Sequence, residues 1–170
     1  MNKDKRRIAI RAVARAVALL ILLYAGWVGW LFFQDWHSRV QRSLAENAGD
    51  GNLTRMRLCL ALGASPNGTV GGTGPALTFA AMMNRIDSIR FLLSHGSNIN
   101  IQDKWGMTPL MVACDHGYTD AVRFLLDAGA DPNVISKGFE PGMNAMNVAH
   151  DGEIRALLLS HGANLPENNR

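Results

Sequence analysis

The sequence predicts an all-α solenoid of about four stacked repeats, preceded by one N-terminal transmembrane helix. Three observations predict it. The segments GASPN (63–67), GSNIN (96–100), GADPN (129–133) and GANLP (162–166) begin at equal intervals, with a period of about 33 residues. Self-similarity at a fixed period of this length is the mark of a stacked repeat architecture. Each segment follows an apolar helix end: LCLALG (58–63), FLLSHG (91–96), FLLDAG (124–129) and LLLSHG (157–162). Ahead of all four lies the run AVALLILLYAGWVGWLFF (16–33), 18 residues without a formal charge.

The first element is read from the distribution of charge. The chain has 170 residues, a net charge of +3 and a pI near 9.2. Lys3, Lys5, Arg6, Arg7, Arg11 and Arg15 face a single acid, Asp4, in the segment 1–33. The segment 34–170 holds the other 11 basic and 13 acidic side chains, so the folded part is weakly acidic. That balance, with no basic stripe or paired aromatic platforms, excludes a nucleic-acid surface. As a helix the run spans roughly 27 Å at ~1.5 Å per residue, near the hydrocarbon thickness of a bilayer. Trp27, Trp30 and Trp36 collect at its far end, where indoles favour the headgroup region. The stronger basic flank puts residues 1–15 in the cytoplasm as a tail. Residues 16–34 are then an uncleaved signal anchor and 35–41 a juxtamembrane linker. Anionic lipid is the expected contact of the basic tail. A cleaved signal peptide is the rival reading. It fits less well, because the run exceeds ~7–15 residues and bulky Trp and Phe stand where small residues mark a cut. Ala25 and Gly29 form one small-xxx-small pair through which two such helices would associate weakly.

The second element is the repeat itself, over 42–166, with boundaries near 42–67, 68–100, 101–133 and 134–166 and a short tail at 167–170. Thr108 before Pro109 suits an N-cap followed by proline at the first helical position. Leu110, Val112, Ala113 and Cys114 give an apolar face. Gly117 suits a left-handed residue ending the first helix, and Asn84, at the same place one repeat earlier, also tolerates that conformation. Val122, Phe124, Leu125 and Leu126 supply the buried side of the second helix, and Gly129 ends it. One such unit cannot bury its apolar surface alone. The first unit reads RSLAENA (42–48), with Glu46, Asn47 and Asp50 as polar capping residues. The fourth reads NAMNVAH (144–150), about three residues short in its first helix, with about three added near 136–142.

On these residues, above all KWGMTPLMVACDHGYTDAVRFLLDAGADPN (104–133), the chain resembles the ankyrin-repeat family over about 42–166. The resemblance implies helix–turn–helix units joined by projecting fingers, with a non-catalytic role in binding proteins. It also implies where a partner sits: on the finger tips and on the concave face of the first helices. By position these are Lys104 and Trp105 on one tip, Phe139 on the next, Met82 and Met83, Asp115 and His116 on first helices, and Tyr118 just beyond the turn. Trp105 and Phe139 are large apolar residues at tips where the repeat does not bury them, and Trp and Tyr commonly anchor interfaces. Met suits adaptable surfaces. Trp105 folding back on its own finger, with Met82 and Met83 packing inside the helix pair, is the alternative.

Chemistry is otherwise sparse. GTVGGTG (68–74) lacks the Lys-Ser/Thr of a phosphate loop. The five histidines have no zinc-like spacing. Cys59 and Cys114 fall two repeats apart, beyond the ~7 Å Cα limit for a disulfide, and read as buried free thiols. No acid, base and nucleophile cluster, and no cofactor is expected. The expected partner is a protein of unidentified kind, met on the non-cytoplasmic side of an inner membrane, in a bacterial periplasm if the compact layout reports origin. Two further roles fit such a scaffold: an immunity or inhibitor protein that neutralises a toxin or envelope enzyme, and an accessory to envelope oxidative-stress defence related to catalase or haem.

Overall fold

The computed structural model describes residues 3–69, 74–138 and 142–165, with side chains from residue 20 onward. Among the described residues the chain is all-helical and has no strand. It divides into two compact units, Met1–Ser38 and Arg39–Arg170. The elements are α1 (Lys3–Asp50), α2 (Leu53–Ala61), α3 (Ala76–Met82), α4 (Ile86–Ser94), α5 (Pro109–Asp115), α6 (Thr119–Asp127), α7 (Ala145–Val148) and α8 (Gly152–Ser160).

In the first unit, α1 exposes Leu20, Ile21, Leu22, Leu23, Tyr24, Trp27, Trp30, Phe32 and Phe33 to solvent. Among the described residues no helix is long and apolar enough to cross a membrane. The described side chains cover only positions 20–33 of the expected span, fewer than the ~20 that a membrane crossing takes. Ala25 and Gly29 lie one turn apart on the exposed stretch, and nothing stands within 4 Å of a Cβ built on Gly29.

In the second unit, first helices stack on first helices (α3 on α5, α5 on α7) and second on second (α2 on α4, α4 on α6, α6 on α8). One core runs through the stack: Leu44 and Met56, then Leu77, Ile89 and Leu92, then Leu110, Val122 and Leu125, then Met146, Ile154 and Leu158, each at most 1 % exposed. Ala80, Ala81 and Ala113 are fully buried where the first helices need close approach.

The helix ends follow local rules. Thr108 Oγ1 accepts from Met111 N at 3.2 Å, with Pro109 as the first helical residue. Asn84 is left-handed at φ 53°, the role Gly117 plays at φ 72° one repeat later. Gly63, Gly96, Gly129 and Gly162 end the second helices at φ between 80° and 94°. Two second helices end in Ser-His-Gly. There His95 Nδ1 donates to Phe91 O at 2.7 Å and His161 Nδ1 to Leu157 O at 2.9 Å. Ser94 Oγ and Ser160 Oγ donate to the same two carbonyls, both at 2.7 Å, so serine and histidine together cap the last turn.

Asparagines tie successive repeats together. Asn67, Asn100 and Asn133 recur once per repeat at the same place. Asn67 Oδ1 accepts from Asn98 N at 2.7 Å and its Nδ2 donates to Gly96 O at 3.1 Å. Asn133 does the same with Asn164 N and Gly162 O, and Asn100 Oδ1 accepts from Asp131 N. The fingers close by backbone bonds rather than strands, among them Asp103 N to Met107 O at 3.0 Å and Ser136 N to Met143 O at 2.8 Å.

Residues 35–41, expected as a juxtamembrane linker, are helical within α1, and the boundary between the two units falls inside them. Just ahead of residue 42, Val40 and Gln41 are already buried. Gln41 holds the first finger, accepting from Ser65 N at 2.8 Å and donating to Ser65 O and Gly68 O. Asn47 is not a solvent-facing cap residue: it is 6 % exposed, and its Nδ2 donates to Ser43 O at 2.6 Å within α1.

Candidate protein-binding surface

The register of the repeats builds a groove between the second and third first-helices. Positions 74, 79 and 82 come from α3 and its approach, and 107, 112 and 115 are the same positions one repeat on. Gly74, Thr78, Phe79, Met82, Asp103, Trp105, Met107, Val112, Asp115 and His116 line a cavity of about 240 Å³. Its floor is mostly apolar, with carboxylates and an imidazole at the rim.

The finger at its edge is set by Asp103. Its Oδ1 accepts from Trp105 N and Met107 N, both at 2.9 Å, and its carbonyl accepts from Gly106 N at 3.0 Å. That turn needs Gly106 at φ 82°. The next finger fits against it: Ser136 Oγ donates to Trp105 O at 3.3 Å and Gln102 Nε2 to Ile135 O at 2.8 Å. A Cβ on Gly138 would land on the Trp105 carbonyl group, so this position admits only glycine. The Trp105 ring remains 53 % exposed and carries Lys104 Nζ 4.1 Å from its centroid. It stands at the groove instead of folding into its own finger.

On α5 the polar rim is a small cluster. His116 Nδ1 donates to Val112 O at 3.0 Å and lies 3.7 Å from Asp115 Oδ2. His150 Nε2 approaches the other carboxylate oxygen at 4.0 Å, and the His116 ring stacks on Tyr118 at 5.6 Å. Directly beneath, Cys114 is 1 % exposed, and burial, helped by the Asp115 charge, pushes its thiol up to about 12. Cys59 and Cys114 are both free and buried. A thiol that holds its proton this firmly is a poor nucleophile and metal ligand. Among the described residues no group of three His, Cys, Asp or Glu side chains is placed to hold a metal ion.

Of the residues singled out in sequence, Met82, Trp105, Asp115 and His116 meet in the groove, with Lys104 and Tyr118 stacked on two of them. Met83 does not join. A Cβ built on Gly49 would lie 3.4 Å from its Cγ, so Met83 lies against α1. Phe139 lies outside the described residues. Sequence reasoning missed Thr78, Phe79 and Met107. The repeat register holds the signal for Phe79, which is the counterpart of Val112.

Comparison with known proteins places this geometry. A family model described as ankyrin repeats (3 copies) matches residues 44–136 and again 77–169. The chain is 34 % identical over 116 residues to "Probable E3 ubiquitin-protein ligase XBOS33" of Oryza sativa subsp. japonica, covering 68 % of this chain and 22 % of that protein. It is 38 % identical over 56 residues to protein phosphatase 1 regulatory subunit 27 of Mus musculus, 33 % of this chain and 36 % of that one. It is 35 % identical over 94 residues to the mouse ankyrin repeat domain-containing protein 63, 53 % of this chain and 24 % of that one. The chain thus spans between about a fifth and a little over a third of these relatives.

Proposed function

Since the chain belongs to the ankyrin-repeat family, whose members generally bind proteins without catalysis, we propose that the groove between α3 and α5 is where it holds a protein partner. The carrying observation is the convergence of Phe79, Met82, Trp105, Met107 and Val112 on one cavity, open at a half-exposed tryptophan. Exposed aromatic anchors beside an apolar pocket are the usual centre of a binding interface. A regulatory subunit of a phosphatase among the relatives is in keeping with a role exercised through another protein.

The module is tethered to an inner membrane by residues 16–34, with the basic tail cytoplasmic and the repeats on the far side, the periplasm in a bacterium. What supports this is the uncharged run of 18 residues behind six basic ones and the apolar exposure of α1 over residues 20–33. Ala25 and Gly29 would let two such helices touch weakly. Tethering raises the effective concentration of the module near membrane-bound partners.

Photocrosslinking from a probe at Trp105 in intact membranes, followed by mass spectrometry, identifies the partner. Trp105→Ala with Met82→Ala should lower its capture at least tenfold while circular dichroism stays native. Undiminished capture by a natively folded double variant overturns the groove reading. An inactive phosphatase fusion at the C-terminus, with an active cytoplasmic reporter at the same place, overturns the topology.

A further inference from the structure

The N-terminal end of the stack is unlike a polar cap. At the second-helix position 55, later repeats carry Ser88, Ala121 and Ile154, each fully buried. Here the residue is Arg55, and it is exposed. At position 58 later repeats carry Phe91, Phe124 and Leu157, none of them exposed, whereas Leu58 is 58 % exposed. Leu62, one turn on, is 44 % exposed. These residues line a shallow cleft with Arg39, Val40, Ser43 and Cys59. Leucines stand in solvent where a soluble cap would carry polar groups, and arginines border them.

Charge follows the same division. The segment 39–62 holds four arginines (Arg39, Arg42, Arg55, Arg57) against Glu46 and Asp50, whereas the segment 63–170 holds seven basic against ten acidic side chains.

We propose that this face, the α2 surface around Arg55, Leu58 and Leu62, docks on the anionic lipid surface of the membrane that residues 16–34 enter. The proposal rests on the membrane anchoring proposed above. Its physical basis is that leucines enter the boundary between headgroups and acyl chains while arginines reach phosphate, the combination that holds interfacial helices.

The test uses the full-length protein in vesicles of phosphatidylcholine alone and of phosphatidylcholine with phosphatidylglycerol, read by hydrogen exchange over residues 51–63. Expected is slower exchange in the anionic vesicles, reversed by salt. Arg55→Ala, which installs the residue of the third repeat, should reduce the slowing roughly fivefold, as expected for ~1 kcal/mol per cation at an anionic surface. Leu58→Ser with Leu62→Ser should abolish it with native circular dichroism. Equal exchange in the two lipids, with the protein floating with the vesicles after alkaline wash, overturns the docking and leaves the anchor intact. Failure to float overturns the anchor. Protection that rises with protein-to-lipid ratio points to a second copy as the occupant and overturns the lipid reading.

Discussion

The third helix pair and the fourth solve the same packing problem with different materials. In the third, α5 has seven residues, begins at a Thr-Pro cap and ends at a glycine turn, and Val122 on α6 is fully buried. In the fourth, α7 has only four residues. Its N-terminus is held by a capping box in which Asn144 Oδ1 accepts from Asn147 N and Asn147 Oδ1 from Asn144 N. Its end is held by Arg155, whose guanidinium donates to Met146 O at 3.0 Å and Ala149 O at 3.2 Å. Arg155 occupies the register of Ile89 and Val122. Losing a turn exposes carbonyls that the longer helix would have satisfied, and a cation in a formerly apolar position supplies the donors. The lesson is that the repeat period constrains where backbone groups go, and that a side chain can replace a turn of helix if it delivers hydrogen bonds to the same place.

Swapping those two residues breaks the comparison most sharply. Val122→Arg buries a cation with no free carbonyls to meet and should cost about 3–5 kcal/mol, read by urea denaturation. The mirror change, Arg155→Val, restores the repeat pattern yet should still destabilise, by about 1–3 kcal/mol, since two carbonyls lose their donors. A stabilised Arg155→Val variant would mean that the arginine is incidental to the short helix.

A second pair asks whether position in the stack matters. Leu125 and Leu158 are register equivalents and both fully buried. Truncating each to alanine should cost about 2–5 kcal/mol, with Leu125 at the upper end because repeats pack on both its sides. Equal costs would show that the terminal pair is as tightly supported as the interior one.

The smallest effect at neutral pH concerns Cys114. The unfolded thiol ionises near its ordinary 9.0 and the folded one near about 12, so its contribution to stability is complete below pH 9 and falls as pH rises from 9 toward 12. Stability of the wild type should decline over that range more steeply than that of Cys114→Ala, measured by denaturant midpoints. Neither thiol should react with a disulfide reagent at pH 8 until urea unfolds the repeats.

The fold was legible because the repeat writes the same constraint several times. Thr108-Pro109, Asn84 and Gly117, and the four glycines after the second helices are residue types demanded by backbone geometry alone, and each stands where the period placed it. The shortened fourth unit was legible as well, since part of a known frame is missing. The candidate surface was legible only in part. Trp105, Met82, Asp115 and His116 converge, whereas Met83, adjacent to Met82, turns toward the preceding helix. Phe79 passed unnoticed because a ring in an apolar pattern looks the same whether or not a groove lies beside it. Arg155 stands in a register otherwise held by Ile89 and Val122, but a broken pattern does not say which carbonyls the side chain serves.

By itself, then, the sequence determined the periodic part: where helices start and stop, which faces turn inward, where the basic excess lies and how the units repeat. Those follow from interactions within about one turn of each residue and from the constancy of the period. Tertiary packing alone decided what happens between units. The Asn67–Asn98 and Asn133–Asn164 bonds, the Gly138 approach to Trp105 and the groove between α3 and α5 join residues of successive repeats. Their geometry depends on the spacing and rotation of neighbouring helix pairs, which close packing of the whole core sets and no single repeat encodes.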